Sequence, residues 1–190
     1  MSGGTLLMLD SGSNAFTPVQ NTHSSPDTIE TIPVGATTAT IELWGQTGAG
    51  GLVVIVAGEP STPGGGGSGS YVRTVMSVAG KGGKTFILSL GSGGSSSNST
   101  ITAGTVTGFS AMTAGGGFTG GNQGGGGAGG NVQTGGTQAN IAGNAGADGY
   151  TSGLGGAAVV GVYASGNRGG NGGTGTNRLG KTAVAAFHYE

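Results

Sequence analysis

The sequence predicts an all-β protein: an antiparallel β-sandwich, jelly-roll-like, carrying glycine-rich insertions that pack as polyglycine or polyproline-II-type helices. Three observations lead there. No window keeps apolar residues at i, i+3, i+4 and i+7 without an intervening Gly or Pro, and each Gly costs a helix about 1 kcal/mol. Short runs rich in Val, Ile, Thr and aromatics recur instead, bounded by Gly, Ser, Asn and Pro, as strands between turns are. Glycine supplies 49 of the 190 residues with no G-X-Y period and only five prolines, which excludes collagen.

Strands are expected at residues 5–10, 27–32, 37–44, 52–57, 71–78, 85–90, 157–163 and 182–189. Within 37–44, Ala39, Ile41 and Leu43 point one way and Thr38, Thr40, Glu42 and Trp44 the other, so one face is buried. Residues 71–78 set Val72, Thr74, Met76 and Val78 against Tyr71, Arg73, Val75 and Ser77, and residues 85–90 set Phe86, Leu88 and Leu90 on one side. The last strand must pair to bury Val184, Ala186 and His188 or their alternates. These runs divide the chain into a sandwich core with an N-terminal docking segment (1–110), a glycine-rich insertion region with a strand near 157–163 (111–180), and a returning C-terminal strand (181–190).

From residue 91 to 156 the composition turns Ser-rich and then Gly-rich, with isolated apolar residues such as Ile101, Val106, Met112 and Ile141. The glycine has local order: Gly-Gly-X triplets recur, and Gly143, Gly146 and Gly149 lie three apart. A polyproline-II helix has three residues per turn and no internal hydrogen bonds, so glycine along one edge lets neighbouring backbones approach and bond to each other. Unstructured loops beyond about 15 residues are uncommon inside a compact domain, which favours an ordered bundle over a floppy linker.

Composition restricts function. Charged residues are 7% of the chain and the net charge is −1, so six scattered Lys and Arg offer no patch for nucleic acid. No cysteine is present, which removes disulfides and thiolate metal sites. The opening MSGGTLLMLD lacks a signal peptide's basic and apolar regions, and the longest apolar run, 52–57, is too short for a membrane helix, so neither secretion nor membrane insertion is expected. One segment, residues 175–182, fits the G-x-x-x-x-G-K-[ST] pattern of a phosphate-binding loop, yet the eight residues after Thr182 alternate like a strand where that loop needs a helix. His23 and His188 stand apart from the acidic residues, and Asp27 with Glu30 reads as a solvated strand edge, so no catalytic centre, metal or cofactor is expected.

Binding is the remaining chemistry. Phe118, Asn122, Gln123, Tyr150, Tyr163 and Arg168 fall in or beside the glycine segments, where a backbone scaffold would display them. Ring faces stack on partners and amides both donate and accept. Phe118 also fits a second role, filling a gap between glycine helices.

In order along the chain, TIPVGATTATIELWG (31–45), GGGGSGSYVR (64–73), TFILSLGSGG (85–94), TAGGG (113–117) and a short C-terminal strand together resemble the glycine-rich domain of bacteriophage tail fibres and related virion surface proteins. The apolar run at 52–57 departs from that pattern. The resemblance implies a non-enzymatic virion protein assembled in the host cytoplasm, a homo-oligomer bound to other virion proteins. It implies a tail-fibre or spike-type adhesin for a bacterial surface protein or glycan, with the six residues above as receptor contacts. Capsid decoration or a head spike is the alternative, and ice binding by threonines of a glycine-helix bundle a third.

Overall fold

The computed structural model describes residues 15–149, 153–162, 166–167, 169–172 and 179–190. The strand expected at residues 5–10 lies outside these, as do Tyr150, Tyr163 and Arg168. The protein is all-β. One five-stranded antiparallel sheet runs in the order β1 (Val19–His23), β12 (Val184–Tyr189), β3 (Thr38–Trp44), β6 (Tyr71–Ser77), β11 (Ala139–Ile141). A second runs β10 (Gln133–Thr134), β9 (Met112–Gly115), β8 (Asn98–Ala103), β7 (Thr85–Ser89), β2 (Thr28–Thr31), so β7 to β10 form an up-and-down meander.

Alternation fixes what each strand buries. Ile41, Leu43, Val72, Ala185 and Phe187 from the first sheet share one core with Phe86, Leu88, Ile101 and Met112 from the second. The rings of Phe86 and Phe187 meet across the two sheets, 5.4 Å between centroids. In the last strand the core side is Ala185, Phe187 and Tyr189, the alternates of the set named first. Glu30 closes one side of the core. It is buried, accepts hydrogen bonds from Asn21 Nδ2 (2.9 Å) and lies 2.7 Å from His23 Nε2, joining β1 of one sheet to β2 of the other. This corrects the solvated-edge reading of Glu30 and the isolation of His23: Glu30 holds an inward position between exposed Ile29 and Thr31, and a buried carboxylate requires such partners.

Two expected strands differ. Residues 52–57 form no core strand; beyond an isolated bridge at Leu52, only β4 (Ile55–Val56) pairs, with β5 (Glu59–Pro60), in a small hairpin turned by Ala57 and Gly58, both with positive φ. A short continuous apolar run matches a buried strand on periodicity alone, and here Leu52, Val53 and Ile55 are exposed while Val54 is half-buried. Of residues 157–163, the described part carries only an isolated bridge at Val160. Conversely β1, β5, β8, β9, β10 and β11 lie outside the expected strands, β9 to β11 where insertion is expected.

The glycine runs form an ordered bundle continuing from one end of the sheets. Its axis is residues 64–70, every one buried. Gly64, Gly67 and Ser70 donate to the carbonyls of Gly121, Phe118 and Gly115, and accept from Gly51, Gly48 and Gly45. Gly65 and Ser68 donate to Ala147 and Asn144 and accept from Gly127 and Gly130; Gly66 donates to Gly170 and accepts from Gly156. Each step along the run therefore turns to a new pair of neighbours and repeats at the third residue, as a three-residue helix requires. Six runs thus surround one. The glycines three apart in sequence, 143, 146 and 149, make one such edge, donating to the carbonyls of Gly130, Gly127 and Gly124.

Glycine is required by contact here. A Cβ on Gly67 would overlap the carbonyl of Ala128, one on Gly65 that of Leu154, and one on Gly66 that of Gly48. Interior backbone groups pair mainly with one another, joined by a few side chains such as Ser68 Oγ, which accepts from Asn144 N, so the bundle replaces apolar packing by close backbone approach.

Candidate functional site

The bundle has a fixed end and a free end. At the fixed end, Gly45 follows β3, Ser70 precedes β6 and Gly115 ends β9, so three runs leave directly from strands. Ser70 Oγ seals this junction, donating to the Val132 carbonyl (2.8 Å) and accepting from the Gly115 amide (2.8 Å). Gln46, fully buried beside it, donates through Nε2 to the carbonyl and hydroxyl of Ser97 and accepts from Ser99 Oγ (3.0 Å), tying the serine-rich turn to the bundle. At about 3.1 Å per residue the axis runs roughly 20 Å outward.

At the free end lie the β4–β5 hairpin, between Gly51 and Gly64, and the turn at residues 122–124, between Gly121 and Gly125. The bonds Gly51 N to Gly64 O, Gly64 N to Gly121 O and Gly121 N to Gly125 O set them at one level. The hairpin base is held by Leu52 N donating to Asn122 Oδ1 (2.7 Å), and its stem by Val54 N to Ser61 Oγ (2.9 Å) and Ser61 N to Val54 O (2.7 Å). Two positive-φ residues in a two-residue loop match the twist of the flanking strands. The result is a stiff protrusion with Leu52, Val53 and Ile55 exposed by 43, 36 and 69%.

Among the residues expected to contact a receptor, Asn122 and Gln123 are exposed at this tip, and Asn122 also braces the hairpin. Phe118 lies elsewhere. Its backbone is bonded within the bundle while its ring, 45% exposed, faces out from the flank, so it fills no gap between glycine helices. Sequence reasoning missed Leu52, Val53 and Ile55 as surface residues. The signal available was position: they fall between two glycine runs whose bonding makes them a loop.

A second polar group packs on the outer face of the first sheet. Glu42, fully buried, accepts from the Tyr71 hydroxyl (2.5 Å) and the Val162 amide (2.6 Å). Trp44 packs against Tyr71 at a tilt of 34°, with centroids 5.0 Å apart, and donates Nε1–H to the Val159 carbonyl (2.8 Å). Burial first, then the bond to Glu42, raises the Tyr71 phenol far above its ordinary value. These contacts pin residues 159–162 to the sheet as a strap. Lys181, from the phosphate-loop-like motif, is engaged through its backbone, its amide donating to Thr47 Oγ1 (2.7 Å) and its carbonyl accepting from Thr47 N, just before β12. Among the described residues no three His, Asp or Glu side chains gather as a metal site.

No protein-family model matches this chain, and no curated protein is similar to it in sequence.

Proposed function

We propose that the protein is a bacteriophage virion protein of the tail-fibre or spike-adhesin type, which attaches to the host surface through the tip of its glycine bundle. One observation carries the reading. A rigid scaffold anchored in two sheets ends in a stiff hairpin whose aliphatic side chains are displayed, and exposed apolar patches mark interaction sites. The resemblance of residues 31–45, 64–73, 85–94 and 113–117 to virion glycine-rich domains supplies the biological setting. The role is binding, not catalysis, and the sandwich end is the side that joins other virion proteins or further copies of the chain. Fluorescently labelled protein incubated with a panel of bacterial strains tests this. Saturable binding to at least one strain is expected; stoichiometric binding to purified capsids with no binding to cells would replace the adhesin by a capsid decoration protein.

A further inference from the structure

Resting on the adhesin reading, we propose that the contact surface is the aliphatic face of the β4–β5 hairpin, Leu52, Val53 and Ile55, and that its receptor is a bacterial surface protein presenting an apolar patch. The hairpin is where this chain departs from the glycine-rich virion pattern, so the argument rests on its own residues.

The run LVVIV is the longest aliphatic stretch in the described chain, and three of its side chains are 36 to 69% exposed while the core holds smaller residues such as Ala39 and Ala185 fully buried. Apolar surface held in water gains by meeting other apolar surface. A glycan offers little of it and is gripped by aromatic faces and amides. The described tip, residues 52–63 and 122–124, has no aromatic residue, and one of its amides, Asn122, is occupied by Leu52. Charge points the same way. Glu59 is the single charged residue of those loops, and Asp148, also acidic, lies beside them with its Oδ1 accepting from Gly126 N. An acidic tip without described Lys or Arg repels the phosphates and uronates of surface polysaccharides. The hairpin is also pre-organised by its turn and base bonds, which lowers the ordering cost of binding.

The test uses the full chain and a strain that the labelled protein binds. Binding is measured to intact cells, to cells stripped with proteinase K, and in competition with polysaccharide extracted from the same strain. Protease treatment is expected to abolish binding and polysaccharide to leave it unchanged. Leu52→Thr combined with Ile55→Thr should weaken binding at least tenfold with an unchanged melting temperature, since both side chains are exposed, while Ile87→Thr, on the exposed face of β7 away from the tip, stays within twofold. Binding that survives protease and is competed by polysaccharide, or that Gln123→Ala weakens while the threonine pair does not, overturns the protein-receptor inference and leaves the adhesin reading standing. Binding to no strain overturns the adhesin reading, and this inference with it.

Discussion

Replacing Gly67 by alanine places one methyl group at the centre of the bundle. The new Cβ would overlap the Ala128 carbonyl, so the axis must move away from residues 124–130. Gly67 there donates to Phe118 O and accepts from Gly48 N, both 2.9 Å, and a shift large enough to clear the methyl breaks both. Each buried group left unpaired costs about 1–3 kcal/mol, while alanine regains about 0.4–1 kcal/mol through the unfolded chain. For the two Gly67 groups the net loss is about 1–5.6 kcal/mol. For a chain of this size, that lowers the melting temperature by roughly 2–22 °C. Gly125→Ala is the matched control: a Cβ there meets nothing and the backbone is not left-handed, so stability should hold or rise slightly. Differential scanning calorimetry of the two variants decides the matter. If Gly67→Ala melts as Gly125→Ala does, the close approach of backbones is wrong.

Further outcomes follow from the same contacts. The Tyr71 phenol is raised in the folded protein, so below the unfolded value of about 10 its contribution is intact; above that, unfolded chains lose a proton the folded state keeps. Stability should therefore fall as pH rises beyond about 10, with Tyr71 contributing up to ~1.4 kcal/mol per pH unit, and Tyr71→Phe should flatten the decline in urea melts from pH 8 to 12. At neutral pH the same variant removes the bond to buried Glu42 and should cost about 1.5–3 kcal/mol. Gln46→Leu leaves Ser99 Oγ and the Ser97 groups without their amide partner and should cost about 1–3 kcal/mol in the same assay, with the serine turn losing protection from proteolysis.

Strands β3, β6, β7 and β12 were legible because each is a run of five or more residues rich in Ala, Val, Thr and aromatics between turn residues; Ala39, Ile41 and Leu43 of β3 and Phe86 and Leu88 of β7 are core residues as expected, while Glu42 and Trp44, on the other face of β3, are buried as well. In β8, Asn98–Ala103, Ile101 is the sole large apolar residue among Ser, Thr and Asn, and β10 and β11 are two and three residues long, too short for a period to register. The bundle was half legible. Three-apart glycines announced one edge, yet its axis, GGGGSGS at 64–70, has no apolar residue and is buried by backbone alone, which hydrophobicity cannot signal. The tip hairpin was misread for the opposite reason: its hydrophobicity was plain, and its exposure follows from the glycine runs on either side.

Amide hydrogen exchange across residues 64–70 tests the central claim, that glycine here builds an ordered scaffold around a buried axis. Each donor of Gly64, Gly65, Gly66, Gly67, Ser68 and Ser70 ends on a carbonyl of a neighbouring run, so these amides should exchange as slowly as those of β3. Exchange at the rate of an unstructured chain, with β3 still protected, would contradict the account and return the glycine runs to flexible linkers.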